Sequence, residues 1–119
     1  GMKFVFENHG GKSSDVDFQL KVKQEFPSSN FGYLLDFGNY RPKESVYENI
    51  LKLGDSILVA HGKAYNFNDD GTETQLDYEK IINNLKKIEF DGFYSVEFEG
   101  PLPDLEGTKK TLELIKRYL

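Results

Sequence analysis

Four times along the chain, a short apolar run rich in β-forming residues is followed by a turn and then a segment with helical apolar spacing. This alternation constrains the fold more than any other feature. A strand that leads through a helix into a further strand returns to the same sheet as a right-handed crossover. Successive crossovers of this kind build a parallel sheet covered by helices. The runs occupy residues 3–8, 31–37, 56–62 and 93–100. They are short and almost continuously apolar, as expected of parallel strands covered on both faces.

The intervening segments carry helix signals. Ser13 or Ser14 is positioned to cap a first helix, in which Phe18, Val22 and Phe26 recur at i, i+4 before Pro27 breaks the pattern. Ser45 and Glu48 match a capping box for a helix carrying Val46, Tyr47, Ile50, Leu51 and Leu53, and Gly54 stops it. Asp77 is placed to cap a third helix with Ile81, Ile82, Leu85 and Ile88 on one face, and Thr108 a fourth with Leu112, Ile115 and Leu119. The expectation is an α/β chain of four βα units, a single domain over residues 2–119, with Gly1 read as a tag remnant. No low-complexity segment or linker interrupts it.

Composition narrows the functional classes. Fifteen Lys and Arg against twenty Asp and Glu give a net charge of −5, and the basic residues are scattered over helices, so no nucleic-acid partner is expected. No run approaches the ~20 apolar residues of a membrane span. With Met2 opening a strand almost at once, no leader peptide is expected and the cytoplasm is the default location. There is no cysteine, which rules out disulfides and thiolate metal sites.

The chemistry gathers at the strand ends. Each of the four runs closes near a residue able to hold a metal ion: Glu7, Asp36, His61 and Glu97. Asp36 directly follows Tyr33, Leu34 and Leu35, where an ionised carboxylate is costly unless something compensates it. Sites in parallel α/β folds form outside the carboxyl ends of the strands, and neighbouring strands stand ~4.8 Å apart, so the four side chains can converge. Three carboxylates and an imidazole suit Mn²⁺ first, with Mg²⁺, Co²⁺ or Zn²⁺ as alternatives. Glu99 follows Glu97 on the same strand face, so either could serve as the fourth ligand. Taken singly, an acidic residue at a strand end is usually a turn former and a lone histidine a structural one. The coincidence of four carries the metal reading.

The stretches "FENHGG", "YLLDFGN", "VAHGKAY", "DYEKIINNLKKIEFDGFYSVEFEG" and "GTKKTLELIKRYL" resemble the xylose isomerase-like TIM-barrel family, which includes sugar-phosphate isomerases, ketose 3-epimerases and endonuclease IV proteins. The resemblance runs over essentially the whole chain but covers only the second half of a barrel, which typically takes ~250 residues. It implies a half-barrel in which Glu7, Asp36, His61 and Glu97 hold one divalent ion, and in which Glu7 and Glu97 act as acid and base on a sugar or sugar phosphate. It also implies a substrate-binding role for Asn39, and for His9 and Lys63 roles in binding substrate or in supporting the ligands. Asn39 stands where ketose epimerases often carry a histidine, so the resemblance does not identify the sugar.

The reaction implied is metal-assisted proton transfer beside a sugar carbonyl. One alternative is a non-catalytic half-barrel that keeps the metal site. Another is phosphodiester hydrolysis of the endonuclease IV type, which uses several histidines where this chain has only His9 and His61. A half-barrel has two open edges and an uncovered inner face. With Phe4, Phe6, Leu34, Val59 and Val96 expected on that face, a homodimer is the expected assembly.

Overall fold

Every apolar run forms a strand and every periodic segment a helix in the computed structural model, which describes residues 1–119. The elements in chain order are β1 (Phe4–Glu7), α1 (Val16–Glu25), β2 (Phe31–Asp36), α2 (Ser45–Leu53), β3 (Ile57–Ala64), α3 (Tyr78–Lys87), β4 (Phe93–Phe98) and α4 (Asp104–Tyr118). The four strands form one parallel sheet in the order β1-β2-β3-β4, so each βα unit adds its strand beside the previous one. This is the sheet of half a TIM barrel. Its outer strands, β1 and β4, each leave one edge without a partner.

The core lies between the sheet and the helices. Tyr33 and Leu35 from β2, and Ala60 from β3, are buried against Val46, Ile50, Ile81, Ile82, Leu85, Leu114 and Ile115. Small residues on the outer face of β3 let α4 approach closely. A methyl group added at Gly62 would stand 2.4 Å from Ile115 Cδ1. That contact also fixes which way each strand faces, because Gly62 pairs with Val96 and the two share a side.

The alternation corrects the expectation for the inner face. Phe6 packs on the helix side, with its ring 6.5 Å from Phe18 and 6.2 Å from Tyr33, and Phe4 alternates to the same side. Val96 also faces α4. The apolar residues that do face inward are Val5, Leu34, Leu58, Val59 and Phe93, with Leu58 turned that way where the β2–β3 register shifts, and Phe93 is 81% exposed. The inner face is therefore apolar at the strand starts and polar toward their ends.

Three helix starts also differ. Asp15, not Ser13 or Ser14, caps α1, its Oδ1 accepting from the Asp17 and Phe18 N–H groups at 3.1 and 3.2 Å. Ser13 and Ser14 instead accept from the backbone of His9 and Gly10 in the preceding 3₁₀ turn. The capping box does not form at α2, where Glu44 precedes the helix without a side-chain cap. Thr108 lies inside α4, which begins four residues earlier, at Asp104 after Pro103. Two signals do match the structure. Asp77 accepts from the Lys80 N–H at 2.9 Å, and Gly54 ends α2 at φ 53°, a left-handed value that glycine adopts without steric cost.

These caps generate a test by urea denaturation. Asp15→Ala and Asp77→Ala should each cost about 1 kcal/mol, the usual value of a lost N-cap. Ser45→Ala and Thr108→Ala should stay within about 0.5 kcal/mol of the parent. A loss at Thr108 as large as at Asp77 would contradict the helix boundary.

Candidate metal centre

Parallel pairing brings polar side chains from all four strands to one end of the sheet. Glu7 and Asp36 are the last residues of β1 and β2. His61 sits inside β3 rather than at its end, because the strand runs on to Ala64 and so places Lys63 on the same face. Asp36 is paired in register with His61, and Lys63 with Glu97. One ligand atom each from Glu7, Asp36 and His61 lies within 4.8 Å of the others. Glu97 joins from the β4 side, its Oε2 at 3.2 Å from His61 Nδ1. The same nitrogen is 3.8 Å from Asp36 Oδ2 and 3.9 Å from Glu7 Oε1. Between Glu97 and Glu99, Glu97 is therefore the one that borders the imidazole.

Asp36 is the fixed point of the cluster. It is completely buried. The Asn8 side-chain amide clamps its backbone, Nδ2 donating to the Asp36 carbonyl at 3.0 Å and Oδ1 accepting from the Asp36 N–H at 2.7 Å. The Gly38 N–H donates to Oδ1 at 2.8 Å. The other oxygen, Oδ2, makes no hydrogen bond and points into the cluster. Asn8 was visible in the "ENH" stretch beside Glu7, but no periodicity marks a residue that acts by holding a neighbouring backbone.

Lys63 lies at the centre of the acidic side chains, the position of a residue that supports them. It is 1% exposed, and its Nζ stands 3.2 Å from Asp36 Oδ2, 3.4 Å from Glu97 Oε1, 3.2 Å from Glu99 Oε1 and 3.1 Å from Asn39 Oδ1. Asn39 thus reaches the site through Lys63, with its own amide nitrogen buried and unpartnered. His9 is not brought to the cluster. It is exposed, and its backbone N–H is turned to Ser13. Glu73 is buried outside the site, where its carboxylate accepts N–H groups of Tyr65, Asn66 and Leu76 and shapes the loop after β3.

Burial and charge set the protonation of the cluster. Burial above all pushes the Asp36 carboxyl up to about 7, the neighbouring Glu97 adds to the rise, and Lys63 offsets part of it. Burial also works to raise Glu97, but the Asp36 carboxyl beside it and the charges of Lys63 and His61 outweigh that and hold it low. The surrounding acids likewise hold the Lys63 ammonium charged against its burial.

The donors fit a hard divalent cation. Asp36 Oδ2 is a buried oxygen with no hydrogen bond, aimed at an imidazole nitrogen with further carboxylates on both sides. Glu7, Asp36, His61 and Glu97 are the residues that would hold the ion. The cleft on the inner face lies at the strand starts, lined by Val5, Leu58, Val59 and Phe93, and does not reach these four residues.

No helix is long and apolar enough to cross a membrane. Among known proteins, the chain is 26% identical to an uncharacterized protein of Methanocaldococcus jannaschii, an alignment covering all of this chain and 43% of that one. The fold superposes on a D-allulose 3-epimerase from Methylomonas sp. with a TM-score of 0.70 at 19% identity, over 89% of this chain and 43% of the epimerase. The chain thus spans less than half the length of either. The xylose isomerase-like TIM barrel family matches residues 1–118, and with four parallel βα units and polar residues gathered at one end of the sheet, the chain belongs to that family.

Proposed function

We propose that this chain is the metal-binding half of a sugar isomerase or epimerase. The observation that carries the reading is the convergence of Glu7, Asp36, His61 and Glu97 around one imidazole nitrogen at the strand ends. A bound divalent ion, with Mn²⁺ the preferred candidate, would supply Lewis-acid polarisation of a sugar carbonyl and its adjacent hydroxyl. Asp36, clamped by Asn8, is a positioning ligand. Glu7 and Glu97 come from the two outermost strands and flank the cluster from opposite sides, each about one-third exposed. Each can therefore reach a sugar lying over the cluster, one to take a carbon-bound proton and the other to return it. Lys63 and Asn39 lie behind this surface, holding the acidic side chains in place.

A second reading, a half-barrel that binds metal without turnover, is favoured by the open inner face, which leaves a substrate with no opposing wall. The completing wall would come from a second copy. Exposed apolar residues gather on the two open flanks: Phe4 and Phe26 on the β1–α1 side, and Phe93, Leu105, Leu112 and Leu119 on the β4–α4 side. Leu105 and Leu112 lie seven residues apart on one stripe of α4 and Leu119 directly follows the helix, and beside β1 a groove of about 540 Å³ is lined by Phe4, Phe6, Val22, Phe26 and Phe31. A two-fold pairing of unlike flanks would repeat the four-strand sheet into eight strands.

Three measurements test these readings. Calorimetry with Mn²⁺ should find one ion per chain, and Asp36→Ala should abolish binding; unchanged affinity in that variant would sink the ligand assignment. Metal binds the ionised carboxylate and Asp36 titrates at about 7, so affinity should climb by up to about tenfold per pH unit below that value and level off above it. In protein stripped of metal the sign reverses: a carboxyl raised above its unfolded value favours folding at low pH. Its contribution is lost as pH rises through about 7.

Exchange of solvent deuterium into a panel of ketoses and aldoses tests the chemistry. Slow, Mn²⁺-dependent exchange that disappears in Glu7→Gln or Glu97→Gln supports proton transfer, whereas its absence from metal-loaded protein favours the non-catalytic reading. Light scattering tests the assembly, with a particle of twice 13.7 kDa expected. A stable monomer at micromolar concentration would contradict closure by a second copy.

A further inference from the structure

We infer that Lys63 is a built-in counter-cation of the acidic cluster, and that a divalent ion enters only by displacing its ammonium toward Glu99. The inference rests on the metal reading above and concerns how the site regulates its own occupancy. Asp36 Oδ2 is the oxygen that faces His61 Nδ1 at 3.8 Å, and it is also the oxygen that lies 3.2 Å from Lys63 Nζ. Glu97 is divided in the same way, with Oε2 at 3.2 Å from His61 Nδ1 and Oε1 at 3.4 Å from Lys63 Nζ. The ammonium and a metal ion therefore compete for the same two carboxylates.

Lys63 cannot simply withdraw into solvent. It is 1% exposed, and its stem runs beneath Gly38, where an added methyl would stand 3.0 Å from Lys63 Cδ. Burial on this scale requires the charge to stay paired. Glu99 supplies the pairing. Its Oε1 lies 3.2 Å from the same Nζ, it is half exposed, and it does not border His61. Asn39 Oδ1, at 3.1 Å, is the other contact that a metal ion would not claim. A small rotation of the ammonium toward Glu99 and Asn39 would free Asp36 Oδ2 and Glu97 while keeping Lys63 charged and bonded. The aspartate and two glutamates around the lysine thus split into two that the metal shares and one that receives the displaced charge.

The experiment is a cycle of variants measured by calorimetry with Mn²⁺ on protein stripped with chelator and dialysed, with circular dichroism as a check on folding. Removing the competing charge in Lys63→Met should tighten Mn²⁺ binding by roughly tenfold or more, the size expected for a like charge within a few ångströms. The same variant should melt at a lower temperature without metal and gain more from added Mn²⁺ than the parent does. Lys63→Gln, which keeps a polar group on a shorter stem, serves if the methionine variant does not fold. Glu99→Gln should weaken binding several-fold in the parent, because the ammonium loses its alternative partner, and should have little effect once Lys63 is replaced. General electrostatics alone predicts the same Glu99 effect in both backgrounds, so an equal effect overturns the displacement. Mn²⁺ binding by the parent that neither lysine variant tightens overturns this inference but leaves the metal site standing. Failure of the parent and every variant to bind Mn²⁺ overturns both.

Discussion

The compensation of one buried carboxylate organises this site. Asp36 lies at the end of an apolar strand with no exposed surface, and its Asn8 clamp and Gly38 hydrogen bond leave a single oxygen aimed inward. Water cannot solvate that oxygen, so the protein must bring positive charge to it or keep it protonated. Both responses are present. Lys63 is drawn in from β3, and burial carries the carboxyl toward neutrality near pH 7. The remaining residues follow from supporting that ammonium: Glu97 and Glu99 on β4 and Asn39 in the loop after β2.

The charges of this cluster are balanced internally, by one ammonium among three carboxylates. The pairing is dense enough to order the side chains, yet each carboxylate that faces His61 is only partly committed to the lysine. That arrangement links the protonation of Asp36 to the stability of the sheet end that carries it. It also accounts for a buried lysine among the acidic side chains.

The sheet sets a second constraint. Four strands in the order β1-β2-β3-β4 leave both edges unpaired and the inner face without a lid. Helix packing supplies the core, with Tyr33, Leu35, Ile50, Ile82 and Leu114 buried on the outer side. On the inner side Phe93 stands in solvent, and the cluster has no opposing wall. The acidic cluster is complete on this sheet, whereas an opposing wall over it would require closure of the barrel.

The sequence by itself determined the four βα units, the parallel sheet and the strand-end residues, because periodicity and strand length are local and repeat along the chain. Glu7, Asp36, His61 and Glu97 were legible for the same reason, as each stands at or near the end of an apolar run. Only the tertiary structure decided what depends on side-chain direction. It turned Phe6 and Val96 toward the helices, because alternation counts from the register and not from hydrophobicity. It moved the first cap from the serines to Asp15, whose carboxylate alone could reach the free N–H groups of α1. It extended β3 to Ala64, which put Lys63 on the face of His61 and into the acids. It also turned His9 away and made Asn8 the clamp, since a hydrogen bond between residues 28 apart leaves no trace in local spacing.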